Sequence, residues 1–227
     1  MKKRVKILIL MITLLVIGFG GLCIYASDYR TLDEEYYTIL EQEDVYLIDD
    51  YVYFEGDSEI GFVFYPGGRV DYLAYAPLCQ KLQEQGVNVF LVDMPFNMAC
   101  FGINKADDFI EEYEEITSWY IGGHSLGGVA ADMYAVNNEE KIEGVVFVGI
   151  YESMGYDLEK TITIVGSNDL RVGDSVDYST NVYIIEGGNH AQFGNYGEND
   201  GDGQATISSK EQQDQTVQLI IEFMQIE

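Results

Sequence analysis

The eleven residues W-Y-I-G-G-H-S-L-G-G-V, from Trp119 to Val129, leave the backbone few choices. Inside them stands Gly123-His124-Ser125-Leu126-Gly127, a G-x-S-x-G pattern. The apolar run at 119–121 reads as a strand, and the small residues over 126–136 read as a helix. A strand that turns at once into a helix needs glycine on both flanks of the turn. The residue at the apex is then held in a strained conformation with its side chain clear of the sheet. The N-terminus of the following helix offers backbone N–H groups, and the positive end of its dipole, to negative charge developing beside that apex. Ser125 is therefore a candidate nucleophile, and the Leu126 amide a candidate oxyanion donor.

Around this turn the chain alternates. Apolar runs at 62–65, 89–92, 145–148, 162–165 and 182–185 read as strands, and 73–85, 106–115 and 210–224 as helices, the first ended by Gly86. Residues 45–54 read as further strand with a hairpin at Asp49-Asp50. Thr31-Leu32-Asp33-Glu34 reads as a capping box opening a short helix, with Leu32, Tyr36, Ile39 and Leu40 on one face. Short strands alternating with helices predict an α/β fold, its mostly parallel sheet flanked by helices on both faces.

A serine hydroxyl needs a base to act at neutral pH, and the chain has two histidines. His124 adjoins Ser125 in the turn, where successive side chains diverge, so it is not expected to reach the hydroxyl. His190 remains, in the glycine-rich loop Glu186-Gly187-Gly188-Asn189-His190 directly after a strand. A carboxylate should orient the imidazole and stabilise its protonated form. Asp169 follows the 162–165 strand through Gly166-Ser167-Asn168 and gives the chain order Ser, Asp, His; Asp174 and Asp177 are nearby rivals.

The second oxyanion donor is expected from Tyr65-Pro66-Gly67-Gly68-Arg69, where glycine lets backbone approach a substrate closely. Gly68 is the choice there, with Arg69 the alternative. Met94-Pro95-Phe96-Asn97-Met98 follows the 89–92 strand, which places Met94, Phe96 and Asn97 as candidates for the substrate pocket; a plain core role competes for Met94 and Phe96. The acidic stretch 198–203 has the opening of a calcium loop, but Ser209 stands where the twelfth-position acid belongs. It reads as a turn, and no metal or organic cofactor is expected.

Charge narrows the partners. The chain has 39 Asp and Glu against 12 Lys and Arg. Lys2, Lys3, Arg4 and Lys6 precede the apolar run 7–26, so the body beyond it holds 8 basic residues and a net charge of −31. Such a surface repels phosphate backbones and excludes a nucleic-acid partner. The run is 20 residues long, roughly 30 Å as a helix and enough to cross a bilayer core. It exceeds the about 7–15 residues of a secretory signal core, so residues 1–26 read as an uncleaved signal anchor. The cations ahead of it keep the N-terminus inside and the body extracytoplasmic. Cleavage near Ile24-Tyr25-Ala26, giving a secreted protein, is the alternative. Residues 27–44 then form a helical linker and 45–227 the folded domain. Cys79 and Cys100 read as two buried thiols, with a disulfide between them the alternative.

With these parts the chain resembles the α/β-hydrolase superfamily and, more narrowly, the alpha/beta-hydrolase fold-5 family related to dienelactone hydrolases. The resemblance spans roughly 45–224 and rests on the G-H-S-L-G turn, Phe64-Tyr65-Pro66-Gly67-Gly68, Tyr75-Ala76-Pro77-Leu78, Met94-Pro95-Phe96-Asn97, and the tail from Gly187 to Gly197. It implies Ser125, Asp169 and His190 as a triad, with Leu126 giving half of the oxyanion hole. Dienelactone hydrolases use a cysteine nucleophile where this chain has Ser125, so their substrate does not transfer. About twenty residues separate the 145–148 strand from Asp169, too few for a lid domain, which points to small or surface-presented acyl substrates rather than buried lipid chains. The expected activity is that of a serine esterase, with acyl transfer by the same residues and a non-catalytic binding role as alternatives.

Overall fold

The computed structural model describes residues 3–150, 153, 155–171 and 181–226. Eight strands form one sheet. They are β1 (Val45–Ile48), β2 (Tyr51–Phe54), β3 (Ile60–Tyr65), β4 (Asn88–Val92), β5 (Ser118–His124), β6 (Gly144–Val148), β7 (Thr161–Gly166) and β8 (Val182–Ile185), in the order β1-β2-β4-β3-β5-β6-β7-β8. The β1–β2 and β2–β4 pairings are antiparallel and the remaining pairings parallel. This is the mostly parallel α/β sheet expected from the alternation.

Parallel strands buried on both faces must be apolar throughout rather than alternating. In β3, Phe62 and Phe64 join one core with Leu78, Leu82 and Ile220, while Val63 and Tyr65 join the other with Phe90, Trp119, Ala131 and Tyr134. The first core lies under α2 (Ala76–Gln83) and α5 (Ser209–Met224), the second under α3 (Ala106–Glu112) and α4 (Leu126–Asn137). Only the edges depart from this. Tyr46, Leu47 and Ile48 of β1, and Tyr183 and Ile184 of β8, are exposed, since an edge strand has cover on fewer sides.

Three helices differ from their expected form. The 73–85 segment splits into a 3₁₀ turn, Tyr72–Tyr75, and α2. Pro77 has no amide to donate and fits only a first helical turn, so α2 begins beside it, at Ala76; Asp71 caps the 3₁₀ turn through Leu73 N. The capping box does not form, and Glu34–Glu41 is a 3₁₀ helix capped at Asp33 without a side-chain bond. The Asp33 amide is drawn instead to the Asn195 carbonyl at 2.9 Å. Finally, α3 ends at Glu112, because Tyr113 turns inward against Phe90 and Tyr53.

Ahead of the domain, α1 (Lys3–Ser27) has a mean hydropathy of 2.8 over its apolar window, none of which is buried. By length and composition it is a candidate membrane span, a test that an anchor and a signal sequence both pass.

Candidate active site

The parallel register brings the strand exits to one edge. Tyr65 pairs with Gly123, His124 with Val148, Val148 with Ile164, and Gly166 with Ile185. The loops after β3 to β8 therefore converge, as ligand-binding loops do at the carboxyl ends of open parallel sheets.

Between β5 and α4 stands Ser125, half-buried, with φ 53 and ψ −118. A non-glycine residue at positive φ is strained, and such strain persists only where the surroundings impose it. Here they do. The Ser125 amide donates to the Val148 carbonyl at 2.9 Å. A Cβ on Gly123 would lie 2.5 Å from the Tyr65 carbonyl oxygen, and one on Gly127 would collide with the same atom. Both glycines are thus required by the close passage of the β3 exit.

His190 and Asp169 meet with Nδ1 and Oδ2 2.7 Å apart, and both side chains are almost wholly buried. The other carboxylate oxygen of Asp169 accepts the Arg171 amide at 2.9 Å. Among the described residues no hydrogen bond joins the Ser125 hydroxyl to His190. The rivals Asp174 and Asp177 lie outside the described residues.

The loop carrying His190 is held from two sides. Asp202 accepts the His190 amide at 3.2 Å and the Ala191 amide at 2.8 Å. Gln212 on α5, fully buried, accepts the Asn189 amide at 3.0 Å and donates to the Asn189 carbonyl at 2.8 Å. The stretch read as a turn thus supplies a residue that positions the histidine backbone. Gly149, at the β6 exit with φ +64, lies under both histidines: a Cβ there would come within 3.0 Å of His124 Nε2 and 3.1 Å of His190 Nδ1.

His124 is buried and turns to the Tyr75 hydroxyl, 2.8 Å from its Nδ1. Its ring lies 4.4 Å from that of His190. Burial, and secondarily the facing His190, push its pKa well below the usual histidine value, so it is neutral near pH 7. Burial likewise holds the Tyr75 phenol well above its usual value.

The two residues expected to give the oxyanion amides are spatial neighbours. A Cβ on Gly68 would be 3.0 Å from Leu126 Cδ2. The Arg69 amide is taken by the Asn97 carbonyl at 2.8 Å, whereas among the described residues none accepts from the Gly68 amide.

Of the pocket candidates, Met94 is buried in the core, whereas Phe96 is 39% exposed. Phe96 and Asn97 both adopt left-handed φ, 60° and 52°. All three line a cavity of about 300 Å³ shared with Tyr29, Asp71 and Asp93, and burial raises the pKa of both carboxyls. A larger polar cavity of about 610 Å³ lies beyond the His190 loop, between Asn189 and Ser209. Ser125, Asp169 and His190 do not line it. Cys79 is buried and Cys100 exposed, both as free thiols, so the expected pair of buried thiols holds for Cys79 alone: Cys100 lies on the surface loop after β4.

Tyr75, Gly149, Asp202 and Gln212 were not legible as site residues. Three lie far along the chain from the residues they hold; Gly149 alone gave a local signal, a glycine directly after a strand.

No curated protein matches the chain in sequence. Among solved structures, a dienelactone hydrolase from Anabaena variabilis aligns with a TM-score of 0.56 and 16% identity, over 80% of this chain and 96% of that one. Est1E from Butyrivibrio proteoclasticus, with ferulic acid bound, aligns with a TM-score of 0.52 and 11% identity, over 77% and 95%. A predicted CIB-like hydrolase from Thermoplasma acidophilum gives 0.51 and 19%, over 79% and 97%. At these identities the likeness is one of fold. The family model of the alpha/beta hydrolases matches residues 61–214, more than half of the sequence and every strand exit described above, and the chain belongs to the alpha/beta hydrolase family.

Proposed function

We propose that this protein is a membrane-anchored, extracytoplasmic serine hydrolase acting on carboxylic esters, with Ser125, His190 and Asp169 as its triad. The observation that carries the reading is the buried 2.7 Å contact of His190 with Asp169, set at the same sheet edge as a strained serine. His190 Nε2 takes the proton of the Ser125 hydroxyl as its oxygen attacks the ester carbonyl. Asp169, hydrogen-bonded to Nδ1, fixes the tautomer and stabilises the imidazolium. The Leu126 and Gly68 amides receive the oxyanion. Collapse of the tetrahedral intermediate expels the alcohol, which His190 protonates. Water, deprotonated by the same histidine, then releases the acid and restores Ser125.

Anchoring rests on α1, and the outward orientation on the four cations ahead of its apolar run. A fluorophosphonate probe should label the wild-type chain in membranes and fail to label Ser125→Ala. Equal labelling of the two would reject Ser125 as the nucleophile.

A further inference from the structure

The end of the apolar helix is packed against the loops of the candidate active site. Phe19 of α1 meets Phe96 edge to face at 6.2 Å, and Phe96 meets Phe101 at 5.6 Å. The Arg69 guanidinium lies over the Tyr25 ring at 4.5 Å, donates to the Asp28 carbonyl at 2.8 Å, and pairs with the Asp28 carboxylate. Arg30 and Val70 form a β-bridge, with the Arg30 amide on the Arg69 carbonyl at 3.0 Å. The residues that leave α1 therefore run directly beside the loop that carries Gly68.

This docking fixes a depth. Phe19 lies seven residues inside the apolar end at Ala26, about 10 Å along a helix, and an average tilt of about 20° shortens that little. Phe96 touches Phe19, so the loop after β4 sits below the surface of any bilayer that α1 spans. That is the depth of about 5–10 Å at which apolar faces of interfacial segments lie.

The composition of the loop agrees. Residues 94–104 hold no charged side chain, in a body of net charge −31. Phe96 and Phe101, 39% and 50% exposed, point outward from it. The same loop reaches the candidate oxyanion hole: Asn97 accepts the Arg69 amide, and a Cβ on Gly68 would lie 3.7 Å from Met98 Sδ.

We propose that the candidate active site opens onto the membrane that holds α1, and that its substrate is the acyl ester of a membrane-resident amphiphile with a neutral or zwitterionic headgroup. The bilayer then covers the mouth that a lid domain would otherwise cover, with Phe101 seated in the bilayer outside that mouth, and the acyl chain reaches Ser125 along Phe96 and Met98 without crossing water. The acidic body disfavours anionic headgroups. The substrate half of this inference rests on the hydrolase reading above; the membrane contact does not.

The test uses the full-length chain with Cys23→Ser, in phosphatidylcholine vesicles. Cys79 is buried, so an environment-sensitive fluorophore attaches at Cys100, beside Phe101. Quenching by acyl-chain spin-labelled lipid, with protection from iodide, is expected. Free access of iodide would overturn the proposal. Protection from iodide without lipid quenching would also overturn it, in favour of a protein partner or a second copy. In a second arm, Phe101→Asp should lose at least about tenfold in rate on a long-chain ester held in the vesicles, with hydrolysis of a soluble short-chain ester unchanged. Equal loss on both esters would overturn the substrate assignment. Cleavage of neither ester by the wild type would reject the hydrolase reading and the substrate assignment together, while the quenching arm still decides the surface.

Discussion

The Tyr75 hydroxyl bridges two loops, lying 2.8 Å from His124 Nδ1 and accepting the Gly67 amide at 3.2 Å. It thereby ties the loop carrying Gly68 to the turn carrying Ser125, and both ends of the bridge are buried. Tyr75→Phe keeps the ring and removes the bridge. Leaving two buried polar groups unpaired should lower stability by about 1–3 kcal/mol, read as a shift in the urea midpoint. The rate constant for ester hydrolysis should fall as well, because the Gly68 amide loses its support.

Asp169→Asn preserves the size of the side chain and removes its charge. The imidazole is then held in the wrong tautomer and its cation is unsupported, so kcat should drop by about 10³–10⁴. Substrate affinity should change little. An unchanged kcat would move the role to a carboxylate outside the described residues, with Asp174 and Asp177 the ones to replace next.

Gly149→Ala places a methyl group 3.1 Å from His190 Nδ1, at a residue with φ +64. The backbone alone costs about 1–2 kcal/mol at such φ. The methyl also presses on the His190–Asp169 contact. Activity should fall by more than the fraction of unfolded protein explains, with the folded fraction measured by circular dichroism on the same samples.

Asp202→Ala strips the acceptor from the His190 and Ala191 amides. Since these are charge-assisted bonds to backbone, the loss should exceed that of a neutral hydrogen bond, about 1.5–3 kcal/mol. The measurable outcome is a lower thermal midpoint together with a lower kcat. Added calcium should restore neither, because in this structure the carboxylate serves the backbone.

His124 gives a pH signature. Its pKa in the fold lies well below the ordinary 6.5. Below about pH 6.5 the unfolded chain therefore binds a proton that the folded chain refuses, so His124 costs no stability above that pH and a growing amount as pH falls. The slope approaches about 1.4 kcal/mol per pH unit for one proton. His124→Asn removes this contribution. The difference in unfolding free energy between the two chains, measured from pH 7 to 5, should tilt against the wild type as the solution becomes more acidic.

The strands and most helices were legible because burial on both faces of a parallel sheet forces continuous apolar runs, which need no partner to be recognised. The turn at Ser125 was legible because its whole pattern lies within five residues, although the atom that excludes a side chain at both glycines, the Tyr65 carbonyl oxygen, lies 58 and 62 positions earlier. Segments whose form depends on distant atoms were not. Glu34–Glu41 became a 3₁₀ helix because Asp33 bonds to Asn195, and α3 stopped early because Tyr113 packs on Phe90. Neither partner is visible from the segment itself.

The choice between Gly68 and Arg69 shows the same division. Residue type alone left both amides open, and only the fold shows that the Arg69 amide is bonded to the Asn97 carbonyl. By itself the amino-acid order determined the α/β architecture, the apolar helix ahead of it, and the serine with its candidate base, all of which depend on neighbours in sequence or on plain counting. Tertiary structure decided which side chains hold the backbone of the His190 loop, how Tyr75 joins two loops, and where α1 meets the site. These are contacts between residues 8 to 77 positions apart, and it is the packed fold, not adjacency in sequence, that brings them together.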